Sequence, residues 1–506
     1  MRVKIVFAIA GFVLLGGNET LAQIYSYAEE ALTISRFQPG GSARVRGMGG
    51  VQNALGGDIS SAYYNPAGLG MYNRSEFSIT PGFVSSNTSA SYLNNASSAS
   101  TSNFIIPNIG IAFHTDKGSK GLLGGTFAIN FNRINDFNNS FNYHGTNKDN
   151  SIIDYFINTA NGQDSTQFSS GHNGTPQGSN YNSPVGLAYN NYLIGPKSDF
   201  NASFPKDQYF SYVPLQDILQ DETVKTSGSQ NQWSFSYGVN LNDKIFLGGG
   251  LGLASFKYKT TTTYNETYTK DPVHSMQLVE TLEQGGSGIN ATLGIIARPV
   301  EQVQLGFSVA TPTAYQITDN YSASMSSSWN NFQYYPGQYL NNLSEKTDVV
   351  TTNYNLATPW RISGGFAFFI QKHGFISADA EWVNYSNSKY TSNTTGVSYS
   401  DDNTTIQGLY KSVINLRVGG EYRLGNYRFR GGYSLMPDPF QSTQNGESRS
   451  LSSYSIGAGY RITAFYLDAA FILGQGNTTH RPYPYTDPVA LKNTTTSFVV
   501  TVGFPF

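Results

Sequence analysis

The sequence contains no cysteine among its 506 residues, and only 13% of the residues are charged. The absence of cysteine excludes a disulfide framework and a thiolate metal site. The formal net charge of −2 provides no basic surface for nucleic acid. No stretch after the N-terminus approaches the roughly 18 consecutive apolar residues that a transmembrane helix requires. These absences leave a secreted protein or a membrane protein built from strands.

The composition is dominated by glycine, asparagine, serine, threonine and tyrosine, and aromatic residues make up 14% of the chain. The mean hydropathy of −0.32 would suit a soluble protein. It also suits an alternating β-barrel, because each lipid-facing residue is averaged with a polar neighbour that faces the lumen. Hydropathy alone therefore leaves both classes open.

The N-terminal segment has the features of a secretory signal peptide. Arg2 and Lys4 precede an apolar core at residues 5–15, and a small-residue cleavage site ends at Ala22. The predicted organisation is a signal peptide at 1–22, an N-terminal hatch or plug at 23–74 and a barrel at 75–506. Cleavage would make Gln23 the first residue of the mature protein.

Strict alternation of apolar and small or polar residues begins near residue 75 and recurs to the end of the chain. In residues 233–241, for example, Trp233, Phe235 and Tyr237 alternate with serine and glycine. The small, polar second face suits a wet lumen better than a sandwich core. Fourteen strands are predicted, near 75–86, 103–115, 120–136, 230–242, 244–262, 283–299, 302–316, 346–371, 373–390, 408–424, 426–437, 451–463, 464–475 and 494–506.

The connections between these strands alternate in length. Tight turns are predicted at 117–119, 242–244, 299–302, 371–373, 424–426 and 463–464. Long polar loops are predicted at 87–102, 137–229, 263–282, 317–345, 391–407, 438–450 and 476–493. Short periplasmic turns and long outer loops are typical of an up-and-down outer-membrane barrel. The even strand number then places both termini on the periplasmic side of a cell outer membrane.

Two features near the strand ends fit the same architecture. Apolar residues alternate up to the terminal Phe506, which resembles the C-terminal signal that the barrel-assembly machinery reads. Aromatic residues near strand ends are predicted to form interfacial girdles: Tyr63, Trp233, Tyr258, Trp360, Trp382, Tyr385, Tyr460 and Tyr466.

The segment before the first strand reads as a compact plug. Residues 25–37 have helical spacing, and the glycine-rich residues 41–70 that follow are too irregular for a helix or a strand. Apolar residues such as Val45, Met48, Leu55 and Ile59 would have no purpose in a free linker. We therefore expect this segment to fill the barrel.

The chain resembles the FadL family of outer-membrane transporters for hydrophobic compounds, which includes the toluene-type channels. The most specific match is the opening stretch, with Gly47-Met48-Gly49-Gly50, Asp58 and Asn65-Pro66-Ala67-Gly68-Leu69. The resemblance implies a 14-stranded antiparallel transmembrane β-barrel with an N-terminal hatch of short helices and loop plugging the lumen. It also implies ligand capture at the outer loops, lumenal binding beside the hatch and release through a lateral opening.

The hatch motif has two interpretations. Pro66 fixes the backbone and Asn65 can bond its own backbone, so residues 65–68 form at least a turn. The alternative is a hinge that takes part in gating. The candidate hatch and gating residues are Asn65, Pro66, Ala67, Gly68, Asp58, Gly47 and Gly49.

A group of charged side chains falls on the lumen face of the later strands. On the lipid face each arginine at mid-membrane would cost about 2–4 kcal/mol, which supports the inward assignment. The group forms an ion-pair network that anchors the hatch, or leaves one arginine to bind a ligand carboxylate. Its members are Arg361, Arg417, Arg423, Arg428, Arg430, Arg461, Asp379, Glu381, Glu421 and Asp468.

The predicted function is passive uptake of hydrophobic small molecules, namely long-chain fatty acids or aromatic hydrocarbons, by a monomer that is not an enzyme. No cofactor or metal is expected, because the six histidines lack metal-ligand spacing. The expected partners are the hydrophobic ligand, outer-membrane lipid and, during biogenesis, the barrel-assembly machinery; nucleic acid is not expected. The alternative is a FadL-like barrel acting as a shuttle in a protein secretion and surface-attachment machine. An outer-membrane lipid hydrolase would need a Ser–His pair that the sequence does not reveal.

Overall fold

The computed structural model describes residues 27–118, 121–171, 177–197, 208–443 and 448–506. The predicted signal peptide lies outside the described residues, as does part of the predicted turn at 117–119.

Fourteen strands form one closed antiparallel barrel, in which each strand pairs with its neighbours in sequence and the last pairs with the first. This confirms the predicted fold class. The strands are β1 (Glu76–Tyr92), β2 (Asn95–Asp116), β3 (Leu122–Asp136 and Asn139–Asn147), β4 (Ile218–Leu241), β5 (Ile245–Tyr268), β6 (Val273–Val300), β7 (Val303–Ala310 and Ala314–Tyr335), β8 (Gln338–Lys346, Val350–Ala357 and Arg361–Ile370), β9 (Gly374–Asn384 and Lys389–Thr391), β10 (Ser412–Leu424), β11 (Tyr427–Met436), β12 (Leu451–Arg461), β13 (Tyr466–His480) and β14 (Val489–Pro505).

The helices are short and lie at the N-terminus and in the outer connections. No helix in the described part of the chain is long and apolar enough to cross a bilayer. The α-helices are α1 (Tyr27–Ser35), α2 (Ala43–Arg46), α3 (Ser61–Tyr64), α4 (Ile152–Ala160), α5 (Pro184–Asn190) and α6 (Ser400–Leu409). Single 3₁₀ turns occur at Pro66–Met71, Ser165–Phe168 and Tyr385–Asn387, and a small hairpin pairs Gly195–Pro196 with Tyr209–Phe210.

Three of the predicted long loops are wrong, because the strands continue through them. The connection predicted at 87–102 is a tight turn at Leu93 and Asn94, which both have positive φ. The loops predicted at 263–282 and 317–345 shrink to residues 269–272 and 336–337. These extensions are rich in serine, threonine and asparagine on both faces, so they lack the apolar alternation that marks a strand in sequence.

An apolar band encircles the outside of the barrel. On β5 the exposed apolar side chains run from Ile245 to Leu253. Eight residue steps cover about 27 Å along a strand, and a tilt of about 40° reduces this to a height of roughly 21 Å, close to the apolar band of membrane barrels. Trp233, Trp360 and Trp382 are exposed on this outer surface, as predicted.

The girdle prediction is wrong for four tyrosines. Tyr258 lies on the lumen face of β5 and packs against the buried cluster that contains Tyr315 and Tyr354. Tyr63 belongs to the hatch, and Tyr385 and Tyr466 are buried. For the tyrosines near strand ends, the sequence is compatible with either face of the wall. Each interruption of a strand changes whether odd or even positions face the lumen.

The predicted loop at 137–229 forms a packed outer cap instead of an unstructured connection. Its first and last parts extend β3 and β4, and α4 and α5 lie between them. Phe156 and Leu187 of the two helices pack in one apolar cluster with Met325 and Trp329 of β7. The buried Glu266 fixes the start of α4, because its carboxylate accepts hydrogen bonds from the Ile152 amide at 2.9 Å and the Ser151 hydroxyl.

Candidate functional site

The lumen contains an N-terminal hatch, which we define as residues 27–72. Helix α1 enters an aromatic cluster, in which Tyr27 makes edge contacts with Tyr354, Tyr390 and Tyr399 at ring-centroid distances of 5.1–5.4 Å. The sequence predicts this helix correctly. Its first residues therefore lie deep in the lumen and are held there by aromatic packing.

The buried carboxylate of Glu30 fixes α1 in a second way. It accepts hydrogen bonds from the Tyr354 hydroxyl at 2.8 Å and from the Gln284 amide at 2.7 Å. Burial raises the pKa of the Glu30 carboxyl to about 7, while these hydrogen bonds act in the opposite direction. The group therefore changes charge near neutral pH.

Asn65 and Pro66 form the cap of the 3₁₀ turn Pro66–Met71. The Asn65 side chain accepts a hydrogen bond from the Ala67 amide at 3.1 Å, and Pro66 occupies the first position of the turn. The Asn65 amide also donates to the Asn53 carbonyl at 2.7 Å, which joins two parts of the hatch. These contacts are those of a structural cap.

Lumen-facing glycines allow the hatch backbone to approach the wall. A Cβ atom at Gly432 would lie 2.1 Å from the Met48 carbonyl carbon, and one at Gly419 would lie 2.2 Å from the Met48 oxygen. On the opposite wall, a Cβ at Gly248 would lie 2.3 Å from the Pro66 carbonyl carbon. The hatch and the wall therefore fit together through backbone atoms, which explains the small residues on the lumen face.

Gly47 and Gly49 also lie against the wall, whereas Gly68 and Asp58 make contacts within the hatch. Gly49 has a φ of +71°, and its Cβ would lie 2.8 Å from the Tyr433 backbone nitrogen, so only glycine fits. A Cβ at Gly68 would lie 2.7 Å from the Ser61 hydroxyl, and Gly47 ends α2. Asp58 accepts hydrogen bonds from the Ser42 hydroxyl at 2.8 Å and the Ser60 amide at 2.9 Å.

Wall side chains also bond the hatch backbone directly. The Asp379 carboxylate accepts the amides of Gln52 and Asn53 at 2.8 and 2.9 Å. The hydroxyls of Ser455 and Thr501 accept the amides of Gly49 and Ala43 at 2.9 and 2.7 Å. Each bond satisfies a buried backbone donor of the hatch, although the Gly49 amide also donates to the Arg46 carbonyl at 3.2 Å.

The lower charged group forms a chain of ion pairs from the hatch to the wall. Arg44 of the hatch lies 3.5 Å from Glu421, whose carboxylate also pairs with Arg430 at 2.9 Å and Arg423 at 2.8 Å. Arg430 continues to Asp468 at 2.7 Å, and Arg461 reaches the same carboxylate at 3.1 Å. Each of these charged groups would destabilise the fold if it were buried without a partner. This series of ion pairs is therefore stable only when all of its members are present.

A second charged group lies higher in the lumen. Glu381 pairs with Arg417 at 3.0 Å and lies 4.0 Å from Arg361. The Arg361 guanidinium donates to the Tyr63 hydroxyl at 3.1 Å and lies over the Phe37 ring, 4.4 Å from its centroid. Both groups therefore connect wall and hatch, and these contacts agree with the anchoring interpretation.

Arg428 has a different environment from the other inward arginines. Its guanidinium donates to the carbonyls of Gly425 and Tyr427 in the adjoining tight turn, and it makes no ion pair with any described residue. Arg428 lies at the rim of the barrel because it is next to this turn. The alternation of residues along the strand does not reveal how close a position is to the rim.

Arg46 is an unpaired cation that the sequence analysis missed. It is half-buried on the hatch, and it forms no ion pair or hydrogen bond with the part of the chain that the structure describes. Burial lowers the pKa of Arg46 to about 10, and the nearby Tyr64 and Asp136 oppose this shift. The side chain therefore stays charged at neutral pH.

The wall is interrupted between β2 and β3. Their ladder ends at the pair Asn108 and Asn132. Beyond it, residues 95–107 form ladder pairs only with β1 among the described residues, and the Ser97 hydroxyl donates to the Asn142 carbonyl of β3. Pro107 has no amide hydrogen with which to continue the ladder. β3 is itself broken at residues 137–138, between its two segments. We call the gap between residues 104–107 and 133–138 the seam.

The hatch lies directly behind the seam. Phe37 and Tyr63 of the hatch form a small apolar cluster with Ile134 of β3. A Cβ at Gly40 would lie 3.0 Å from the Arg133 carbonyl oxygen. At the end of the ladder, both side-chain polar atoms of the buried Asn132 lack a hydrogen-bond partner. The seam therefore combines an open ladder with an apolar lining.

One cavity beside the hatch is small. A cavity of about 20 Å³ lies among Asn53, Tyr64, Ser308, Arg361 and Arg417. A pocket for a small-molecule ligand usually encloses about 300 Å³ or more. A molecule of that size fits this cavity only if side chains or backbone move.

The structure brings the predicted hatch residues and most of the predicted charges together at one interface. Phe506 ends the barrel beside β1, where its amide donates to the Ser75 carbonyl at 2.9 Å. Among the described residues, no group of three His, Cys, Asp or Glu side chains could hold a metal ion. The seam was missed, although Pro107 inside a predicted strand is a signal for it.

No family model and no curated protein matches the sequence. The fold is similar to the crystal structure of a Pseudomonas aeruginosa FadL homologue, with 12% identity, a TM-score of 0.56 and coverage of 93% of this chain and 99% of the other. It is also similar to the Pseudomonas putida toluene transporter TodX, with 10% identity, a TM-score of 0.50 and coverage of 94% and 99%. The chain therefore has the fold of these two proteins over almost its whole length.

Proposed function

We propose that this protein is a FadL-like outer-membrane channel that takes up hydrophobic small molecules without an energy source or a chemical step. The seam is the observation that carries the proposal, since a hydrophobic molecule in the lumen would reach the membrane through it. The fold similarity to a FadL homologue and a toluene transporter supports the same function. Short turns and both termini then face the periplasm, after removal of the signal peptide at 1–22.

The proposed route begins at the outer cap, passes the hatch and leaves sideways through the seam. Phe37, Tyr63 and Ile134 offer an apolar surface at the exit. The hatch stays docked during passage, because its backbone is held by Asp379, Ser455 and Thr501. In this proposal the motif at residues 65–68 anchors the hatch; the gating role stays a prediction, which a Pro66→Ala variant would test.

Arg46 points to the class of substrate. A guanidinium without an acid partner suits a carboxylate, which it can bind with two parallel hydrogen bonds. An aromatic hydrocarbon offers no such group. We therefore propose an amphiphilic acid, such as a long-chain fatty acid, as the preferred ligand.

The test uses the natural absence of cysteine. A single cysteine in the Ile106→Cys variant, on the 40% exposed Ile106 at the seam, can be labelled with a bulky maleimide in cells. We expect labelling to reduce uptake of radiolabelled oleate several-fold, because the label obstructs lateral release. Leu251→Cys, on the 56% exposed Leu251 in the same apolar band, is the matched control and should leave uptake unchanged.

Equal uptake by the two labelled variants would contradict release at the seam. Unchanged uptake after deletion of the gene, with no binding of oleate or toluene to the purified protein, would contradict transport itself.

The small volume of the cavity beside the hatch favours a second candidate, a shuttle component of a protein secretion and surface-attachment machine. The 20 Å³ cavity leaves little room for a ligand in this conformation. Such a component would co-purify with secreted proteins and would show no dependence of oleate uptake on its gene.

A further inference from the structure

Three lysines form a cluster on the outer surface of the barrel, just beyond the apolar band. Lys257 and Lys259 are two residues apart on the outer face of β5, which places them about 7 Å apart. Lys225 of β4 is a diagonal neighbour of Lys259, because Ser227 pairs with Lys259. Diagonal neighbours on one face lie about 7–8 Å apart. All three side chains are exposed and can reach one bound molecule.

The cluster has an excess of positive charge. Lys259 pairs with Glu283 at 2.7 Å. Lys225 and Lys257 form no ion pair with any residue that the structure describes. At least two ammonium groups are therefore available to an anion at the edge of the membrane.

An uncharged polar groove of about 510 Å³ adjoins the lysines. The two features share β6, on which Gly285 pairs with Lys257 and Glu283 with Lys259. The outward lining of the groove consists of amide and hydroxyl side chains, among them Ser287, Gln316, Thr318, Asn353 and Asn393. Such groups bind sugar hydroxyls, since both partners donate and accept hydrogen bonds.

The apolar band continues immediately below both features. Leu251 and Leu253 lie below the lysines on β5, and Ile289 lies below the groove on β6. A single molecule that covers this surface would carry phosphate over the lysines, sugar in the groove and acyl chains on the band. Basic clusters at a membrane interface bind anionic lipid headgroups in this way.

We propose that this surface is a docking site for a phosphorylated glycolipid of the outer leaflet. The site lies on the side of the band away from the short turns, which the proposed orientation assigns to that leaflet. It does not depend on the transport function, because it faces away from the lumen and the seam.

Gly285 provides a specific way to close the groove. A Cβ atom there would have only the Phe256 carbonyl oxygen within 4 Å, at 4.0 Å, so a larger side chain is tolerated by the fold. Its bulk would project into the groove. Gly285→Trp should therefore remove the sugar subsite and leave the lysines in place.

The test measures retention of lipid by the full-length protein in detergent, using native mass spectrometry. The probes are bisphosphorylated lipid A, its dephosphorylated form and phosphatidylglycerol. We expect Lys225→Gln/Lys257→Gln to weaken lipid A binding by a factor of about 30, since each basic residue at a membrane surface contributes a factor of about 5. The dephosphorylated lipid should bind wild type as weakly as lipid A binds the double variant.

Lys244→Gln/Lys372→Gln is the matched control, because both lysines are exposed at tight turns at the opposite end of the barrel. It should bind lipid A like the wild type. Gly285→Trp should weaken binding of lipid A and leave binding of phosphatidylglycerol unchanged. Equal retention of lipid A by the two lysine variants, or by Gly285→Trp and wild type, would overturn the proposal. Heat-modifiable mobility on gels establishes that each variant is folded.

Discussion

Along β10 to β13 the hatch contacts the wall through its backbone and through buried ion pairs. Along β2 and β3 it contacts the wall through a few side chains beside an interrupted ladder. On the first side, Gly419 and Gly432 bring strand and hatch into backbone contact, and Arg430 joins two buried carboxylates. On the second side, the ladder between β2 and β3 ends at Asn108 and Asn132. One side is built to hold the hatch, and the other has the features of an exit.

The largest effect is expected when a side chain is inserted between hatch and wall. Gly432→Val should prevent the hatch from docking, because its Cβ would lie 2.1 Å from Met48. We expect little correctly assembled protein and rapid proteolysis of the hatch. Gly431→Val is the matched control, since the nearest atom to its Cβ is 4.0 Å away. Similar protease resistance in both variants would show that the contact is not tight.

The central arginine should contribute next most. Arg430→Met leaves part of the charge on the buried Glu421 and Asp468 uncompensated, which should lower the free energy of unfolding by about 3 kcal/mol. Arg133→Met at the seam removes a more exposed pair with Asp136 and should cost about 1 kcal/mol or less. Urea denaturation in detergent compares the two; equal losses would remove the distinction between the two sides.

Glu30 should make the docking of α1 depend on pH. Its pKa in the folded protein, about 7, lies above the ordinary value of 4.5, so its ionisation destabilises the folded state as pH rises from about 4.5 to 7. Glu30→Gln should therefore match wild type at pH 5 and be more stable at pH 8, by at most about 3 kcal/mol. Glu301→Gln, at an exposed turn, should show no such difference. A constant offset at both pH values would contradict this role.

The smallest effect is expected at the unpaired arginine near the seam. Arg46→Gln should weaken binding of oleate about tenfold, which corresponds to about 1.4 kcal/mol and to the loss of one charge-assisted contact. Binding of toluene should be unchanged. Competition by tryptophan fluorescence measures both ligands in the same preparation, and equal losses would show that Arg46 acts on the fold and not on the carboxylate.

The barrel and its strand number could be predicted from sequence because a lipid-facing apolar residue must recur at every second position. Arg430 and Glu421 could be assigned inward for the same reason. The strand extensions beyond the membrane could not be predicted, since Thr88 and Ser97 face water or polar groups and carry no alternation. The seam could not be predicted either, because the end of a ladder depends on the path of two strands; Pro107 is its one local signal.

The pairing of Gly49 and Gly432 also lies beyond sequence patterns. The neighbouring sequence does not show why glycine is needed at either position. The reason becomes clear only when the hatch backbone is placed against β11. Arg46 and Arg44 illustrate the same limit. They are two residues apart on one short helix, yet one completes a buried ion-pair chain and the other remains unpaired.

A disulfide between hatch and wall tests most directly whether the hatch stays docked while ligand passes. A Cβ at Gly47 would lie 3.3 Å from the Ala470 Cβ, near the 3.5–4.5 Å range of disulfides. Gly47 has a φ of −67°, which other residues adopt freely. Because the chain has no other cysteine, Gly47→Cys/Ala470→Cys can form one disulfide only. We expect oleate uptake by this variant to be the same under oxidising and reducing conditions. Loss of uptake on oxidation, with recovery on reduction, would show that the hatch must move.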